Sequence, residues 1–112
     1  SYVLAFEVSR DRVPGLFWDT AEPYHYLRGA EVDGRSYVLV GGADHLTGSE
    51  RETERHYDEL ARYAHERFGI AGAALRWSAQ VYEPVDGLPF IGRRPMGEHV
   101  HYATGFSGNG MT

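Results

Sequence analysis

The chain has 112 residues, a formal net charge of −5 and no cysteine. This length suits one compact domain with a hydrophobic core of its own. The acidic balance, without a basic stripe, argues against a nucleic-acid surface, and the lack of cysteine excludes disulfides and thiolate metal ligands within the chain. No apolar run approaches the roughly 20 residues of a membrane span, so we expect no membrane partner. The lack of cysteine fits a reducing compartment, and we expect a cytoplasmic protein.

The N-terminal part of the chain has the composition of β-strands. Residues 2–8 (YVLAFEV) are apolar and β-rich, and residues 16–18 (LFW) suit a short second strand. Residues 24–42 predict a β-hairpin, because Asp33 and Gly34 separate two β-rich runs and a type I′ turn needs two residues at positive φ. The second hairpin strand is apolar on both faces, which indicates a central position in a sheet.

One amphipathic helix is predicted over residues 50–68. Apolar side chains recur at helical spacing, namely Tyr57, Leu60, Ala61, Ala64 and Phe68. Ser49 and Glu52 have the spacing of a capping box, in which each side chain hydrogen-bonds the backbone near the other. Gly69 follows the last apolar residue and predicts the end of the helix.

A further strand is predicted over residues 75–82. Apolar and polar side chains alternate there, so that Leu75, Trp77, Ala79 and Val81 would share one face. Strands, one main helix and then more strands indicate an α+β fold with a mixed, mostly antiparallel sheet and the helix packed on one face.

The final stretch, residues 86–112, carries the densest pattern of turns. It contains a tight turn at Asp86-Gly87, a strand over residues 99–104 and then a loop with Gly-x-x-Gly-x-Gly spacing. Glycines let a backbone approach a ligand closely, and the first N–H groups of a following helix point outward. The loop from Gly105 to Gly110 could therefore hold a cofactor with its backbone N–H groups, while a glycine-rich turn without a ligand stays open as the alternative. Because the sequence ends where that helix should begin, we expect the chain to be a piece of a longer protein.

Three other groups of side chains are candidates for chemistry. Asp44 and His45 could do acid–base work, although such a loop pair is more often solvated or capping. His99 and His101 lie two apart on a predicted strand, yet no helical histidine pair accompanies them, so we predict no metal site.

An aromatic face is the third candidate. Tyr24, Tyr26 and Arg28 would share one face of the first hairpin strand, with His25 and Leu27 on the other. Together with Gln80 and Tyr82 this face could line a ligand pocket, or it could be covered by the helix or by a partner domain.

Several segments together resemble a known family. They are PYHYLR (23–28), VLVGGADH (38–45), RWSAQVYEPVDGLP (76–89), DGLPFIGRRP (86–95) and ATGFSGNGMT (103–112). The combination resembles the D-amino-acid-oxidase-like family of FAD-dependent oxidoreductases, in particular the branch whose members often carry a Rieske [2Fe–2S] domain.

This resemblance implies that two parts of the chain have different roles. Residues 1–85 would form a substrate-binding domain of sheet and helix, and residues 86–112 would be a returning segment that completes an FAD site. An N-terminal dinucleotide-binding part of the same protein would hold the other half of FAD, and a [2Fe–2S] cluster could lie in a separate domain outside this chain. The backbone of the glycine loop would approach the pyrimidine side of the flavin ring and stabilise negative charge there. The cofactor contacts that the resemblance implies are Gly105, Phe106, Ser107, Gly108, Asn109, Gly110, Met111 and Thr112.

The resemblance also implies the reaction. The enzyme would oxidise a C–N bond of an amine or amino-acid-like molecule by hydride transfer to the flavin, with substrate contacts from Tyr24, Tyr26, Asp44 and Gln80. Catalytic side chains are not identified, and the chain alone should be inactive because half of the cofactor site is missing.

Two positions depart from the family pattern. Amino-acid-oxidising members often hold the substrate carboxylate with arginines where this chain has Gly108 and Val81. The alternative function is a non-catalytic β-sheet module for binding or dimerisation, whose aromatic face would be an interface.

Overall fold

The computed structural model describes residues 1–9 and 15–108. It contains two compact units, Ser1–Ala79 and Gln80–Thr112. The assignment of residues 1–85 and 86–112 to a substrate domain and a returning segment stays a prediction. Among the described residues, no helix has the length and apolar character needed to cross a membrane.

The first unit is a five-stranded antiparallel sheet with one long helix. Its elements are β1 (Tyr2–Val8), β2 (Leu16–Trp18), β3 (His25–Val32), β4 (Arg35–Gly42), α1 (Glu54–Phe68) and β5 (Leu75–Ser78). The strand order is β2-β3-β4-β1-β5, and every neighbouring pair is antiparallel. This arrangement confirms the predicted α+β class with a mostly antiparallel sheet.

The predicted hairpin forms the middle of the sheet. Asp33 and Gly34 have φ of 50° and 75°, the left-handed values that a two-residue type I′ turn requires. Val32 pairs with Arg35 across the turn, and β4 lies at the centre of the five strands, as its apolar sequence predicted.

The helix covers one face of the sheet. The core on that face contains apolar side chains from three strands, the helix and the segments that follow β4 and α1: Tyr2, Leu4, Phe6, Leu27, Val38, Val40, Ala43, Leu60, Ala64 and Ile70. The opposite face carries a smaller cluster of Val3, Ala5 and Leu39, against which Tyr26, Ala30 and Tyr37 pack. Leu27 and Tyr26 therefore face opposite sides of β3, as the alternation predicted.

The start of the helix was predicted wrongly. Helix α1 begins at Glu54 rather than residue 50, and its N-cap residue Thr53 makes no side-chain capping bond. The Ser49 hydroxyl instead donates to the Leu46 carbonyl at 2.7 Å, so it closes a turn before the helix and cannot form the capping box. The helix end was predicted correctly, because Gly69 adopts a left-handed φ of 64° and its N–H meets the last carbonyls.

The last strand of the first unit is shorter than predicted. Strand β5 ends at Ser78, so residues 79–82 are not part of it. Its partner β1 begins at Tyr2, which pairs with Ser78, and beyond that pair only Ser1 and Ala79 exchange backbone hydrogen bonds, at 2.9 and 3.0 Å. Gln80 therefore does not lie on a strand.

The second unit contains a two-stranded antiparallel sheet, β6 (Phe90–Arg93) and β7 (His101–Thr104). Strand β7 begins two residues later than predicted, at His101 rather than residue 99. The predicted Asp86-Gly87 turn is present, with the Asp86 side chain accepting from the Leu88 N–H at 3.1 Å.

Candidate functional site

Two predicted substrate residues, Tyr24 and Tyr26, lie together at the start of β3. Their ring centroids are 6.4 Å apart and tilted by 37°. The Tyr26 ring lies directly over Gly41 of the neighbouring strand, where an added Cβ would come within 2.1 Å of the ring. Gly41 thus provides the space that fixes the position of Tyr26, while Tyr24 stays exposed.

Asp44 follows an unusual exit from β4. Gly42 and Ala43 both have positive φ, 134° and 51°, and a Cβ on Gly42 would lie 2.3 Å from the Tyr24 carbonyl oxygen. The backbone that leads to Asp44 is therefore packed against the backbone of Tyr24. The Ser1 hydroxyl donates to Asp44 Oδ1 at 2.8 Å, and the Ser1 amino group lies 3.4 Å from the same oxygen.

Electrostatics also connect these side chains. Burial, together with the nearby Tyr24 and the negative charge of Asp44, raises the pKa of Tyr26 above its ordinary value, and Arg28 opposes this effect. The hydroxyl of Tyr26 therefore stays protonated near neutral pH. Tyr24, Tyr26 and Asp44 form one group in the first unit, which we call the tyrosine–aspartate group.

Sequence reasoning missed the residues that hold the loop before β3. Asp19 accepts hydrogen bonds from the His25 N–H at 2.8 Å and the Ala21 N–H at 3.2 Å, and its second oxygen lies 3.0 Å from His25 Nδ1. Burial alone would raise the pKa of Asp19, but the hydrogen bonds from His25 and Ala21 hold it below its ordinary value. The His25 ring stacks on Tyr63 of α1 with centroids 4.1 Å apart, so the residue before Tyr26 is anchored to the helix.

Gln80, the fourth predicted substrate residue, belongs to the second unit. Its Oε1 accepts a hydrogen bond from Tyr82 at 3.3 Å, and both side chains are exposed. Its grouping with Tyr24, Tyr26 and Asp44 stays a prediction.

The glycine loop has an uncommon backbone in its described part. Gly105, Ser107 and Gly108 have φ of 79°, 49° and 84°, so three of four consecutive residues are left-handed. A Cβ at Gly105 would lie 2.6 Å from Pro84 Cγ, whereas at Gly108 the nearest atom would be Val81 Cγ1 at 4.0 Å. Within residues 1–9 and 15–108, the N–H groups of Phe106, Ser107 and Gly108 donate no hydrogen bond. Backbone donors without an acceptor in the described part of the chain suit an acceptor or anionic group. The predicted cofactor contacts of Asn109, Gly110, Met111 and Thr112 lie outside the described residues.

A stack of three rings at the start of α1 was also missed. The His56 ring lies 4.7 Å from Tyr2 and 4.6 Å from His45, nearly parallel to both. Burial, the neighbouring His45 and Arg55 lower the pKa of His56, while Glu50 and Glu59 oppose the shift. Across the described part of the chain, no three His, Cys, Asp or Glu side chains converge as a metal ion would require.

Comparison with known proteins identifies the class. A family model described as FAD dependent oxidoreductase (DAO) matches residues 1–112. The chain therefore belongs to the DAO family of FAD-dependent oxidoreductases, as the sequence resemblance predicted.

A curated relative supports the same conclusion. The chain is 35% identical over 115 residues to the Bacillus subtilis (strain 168) protein YhfW, which is named as a putative Rieske 2Fe-2S iron–sulfur protein. The alignment covers 100% of this chain but 22% of that relative, so the chain spans about a fifth of its length. No solved structure matches the chain.

Proposed function

We propose that this chain is the substrate-binding part of an FAD-dependent oxidoreductase that oxidises a C–N bond of an amine or amino-acid-like substrate. Its membership of the DAO family supports the redox cofactor. The length of YhfW supports a longer protein, in which an N-terminal dinucleotide-binding part supplies the other half of the FAD site. On this proposal the chain alone is inactive.

The observation that carries this proposal is the backbone of residues 105–108. The N–H groups of Phe106, Ser107 and Gly108, which have no acceptor among the described residues, fit an acceptor edge such as the pyrimidine side of a flavin, where negative charge develops on reduction. Pro84 packs so closely on Gly105 that any side chain there would displace the loop. When bound, FAD supplies the chemistry by accepting the hydride, and the loop stabilises the charge that results.

The tyrosine–aspartate group would hold the substrate. The Asp44 carboxylate offers an acceptor to the ammonium form of an amine, while the Tyr24 and Tyr26 rings provide apolar and cation–π contact. Glycine at 108 and valine at 81, where amino-acid-oxidising relatives often carry arginine, favour an amine over a free amino acid. Gln80 is included as a substrate contact on the family resemblance alone.

The proposal extends to partners and location. A Rieske [2Fe–2S] domain of the same protein would take the electrons that the flavin receives, by analogy with the name of YhfW. Neither nucleic acid nor a membrane is a partner in this proposal, and the protein would act in the cytoplasm.

A visible absorption spectrum of the purified full-length protein tests the proposal. We expect the two absorption bands of oxidised flavin, with bleaching under anaerobic conditions by at least one member of a panel of primary, secondary and tertiary amines. Additional iron–sulfur absorbance would support the Rieske partner. A folded protein that is colourless and takes up no added FAD would contradict the flavoenzyme proposal, and a flavoprotein bleached only by substrates without a C–N bond would contradict the reaction.

A further inference from the structure

The first residues after β4 fix the path of the segment that connects β4 to α1. Ala43 is 1% exposed and has a φ of 51°, a left-handed conformation that is uncommon for a residue with a side chain. Such a conformation persists only where the surrounding structure holds it. The direction in which Asp44 leaves the sheet therefore depends on the contacts made by the residues beside it.

His45 makes those contacts. Its Nδ1–H donates to the Leu46 carbonyl at 2.9 Å, which leaves Nε2 to accept a hydrogen bond from the Tyr2 hydroxyl at 2.7 Å. Since a carbonyl oxygen only accepts, the bond to Leu46 places a hydrogen on Nδ1. Both nitrogens of His45 are thus used to hold the ring in one orientation.

Stacking holds the same ring from the side. The His45 ring stacks on the His56 ring, and the His56 ring also stacks on the Tyr2 ring. The centroids of the Tyr2 and His45 rings are 5.6 Å apart. His56 is 6% exposed, and neither of its ring nitrogens has a partner among the described residues. His56 therefore contributes its aromatic faces alone, and the stack formed by Tyr2, His45 and His56 spans β1, the loop after β4 and the first turn of α1.

We infer that the stack of Tyr2, His45 and His56 positions the Asp44 carboxylate beside Tyr26, so that residues which do not touch the substrate set its affinity. This inference rests on the proposed function, because it takes Asp44 as the contact for a cationic substrate. The Ser1 hydroxyl bonds the Asp44 carboxylate directly at 2.8 Å, and the Tyr2 hydroxyl acts one residue further on, because it fixes the ring of His45. Tyr2 and His45 are positioning residues on this account.

Removal of the Tyr2 hydroxyl tests this positioning role. Tyr2→Phe keeps the ring stack and deletes only the bond to His45, and Tyr57→Phe is the matched control, because the Tyr57 ring contacts Tyr2 edge-on at 5.0 Å. Tyr57 is half-buried, and its hydroxyl makes no hydrogen bond to any residue that the structure describes. The probe is benzyltrimethylammonium, a permanent cation, with binding followed by the change in visible flavin absorbance of the full-length protein.

The variants are compared with and without Asp44→Asn. We expect Tyr2→Phe to weaken probe binding about threefold to tenfold, the value of one hydrogen bond, and Tyr57→Phe to leave it unchanged. In the Asp44→Asn background the effect of Tyr2→Phe should fall below about twofold, because coupled residues are not additive. His45→Phe, which keeps a stacking ring and loses both bonds, should behave like Tyr2→Phe and serves if that variant does not fold.

The other outcomes distinguish the positioning role of the stack from the substrate role of Asp44. Equal losses from Tyr2→Phe in both backgrounds, or no loss in either, would overturn the positioning role while leaving the substrate role of Asp44 intact. If Asp44→Asn does not change probe binding, the substrate role of Asp44 fails and the positioning role fails with it. The flavin absorbance of the same samples reports separately on whether the protein is a flavoenzyme.

Discussion

Gly41 and Tyr26 show how one missing side chain fixes an aromatic ring. A Cβ at position 41 would lie within 2.1 to 2.4 Å of three Tyr26 atoms, so Gly41→Ala must displace the ring. We expect a loss of about 1–3 kcal/mol in the free energy of unfolding, measured by urea denaturation of the chain. The same substitution in a Tyr26→Ala background should cost much less, and an equal cost in both backgrounds would contradict this packing.

His56 is buried, and its two ring nitrogens have no hydrogen-bond partner among the described residues. His56→Phe keeps the stack on Tyr2 and His45 and removes two nitrogens without partners, so we expect a stability change between zero and a gain of about 1 kcal/mol. Thermal unfolding of the variant measures it. A large loss of stability would mean that the imidazole nitrogens have a partner after all.

The lowered pKa of His56 predicts that the stability of the folded chain depends on pH. The pKa of His56 is lowered in the folded chain by burial, His45 and Arg55, with Glu50 and Glu59 opposing the shift. The unfolded chain therefore binds a proton at higher pH than the folded chain, and stability falls as pH decreases below the ordinary histidine value of about 6.5. Urea unfolding of the wild-type chain and His56→Phe between pH values of about 7.5 and about 5 should show a shallower decline for the variant, and parallel curves would contradict the assignment.

At the scale of elements, the end of α1 depends on one backbone conformation. Gly69 has a φ of 64°, and no atom lies within 4 Å of the place that a Cβ would occupy, so a substitution there costs backbone strain without a steric clash. We expect Gly69→Ala to lower stability by about 1 kcal/mol and Gly69→Asn by less, because asparagine adopts left-handed conformations more readily. Urea denaturation of both variants tests this, and an alanine variant as stable as the asparagine variant would contradict it.

Elements with strong local signals were predictable from the sequence. The Asp33-Gly34 turn and the Gly69 helix end each depend on a residue that accepts positive φ, and both were found where expected. The helix start was not predictable in the same way, because Ser49 can cap a helix or bond the Leu46 carbonyl, and only the fold decides between them. The end of β5 likewise depends on where its partner β1 begins, which no pattern within residues 75–82 reveals.

In the candidate site, too, relations within one strand were predictable and contacts between distant parts of the chain were not. Period-two alternation placed Tyr24 and Tyr26 on one face of β3, since that relation is local. The anchors Asp19 and His25 and the stack of Tyr2, His45 and His56 bring together residues from distant parts of the chain. Their proximity follows from sheet pairing and helix packing, so the sequence pattern alone did not reveal them.

At the scale of the whole molecule, the proposed function depends on one feature of each unit. The first unit carries the tyrosine–aspartate group, and the second carries a backbone loop whose N–H donors have no acceptor within the described part of the chain. On the proposed function, the first group would bind the substrate and the second would stabilise charge on the flavin, the cofactor that membership of the DAO family implies. The central claim is therefore that the loop of residues 105–108 faces the flavin in the full-length protein.

The reduction potential of the flavin in Gly108→Asp and Gly108→Asn variants of the full-length protein tests that claim most directly. The two side chains have the same shape, both adopt the left-handed conformation of residue 108 (φ 84°), and they differ in charge. If the loop faces the flavin, the carboxylate should lower the potential of the aspartate variant by roughly 30–60 mV relative to the asparagine variant. Equal potentials in the two variants would contradict the placement of this loop at the flavin.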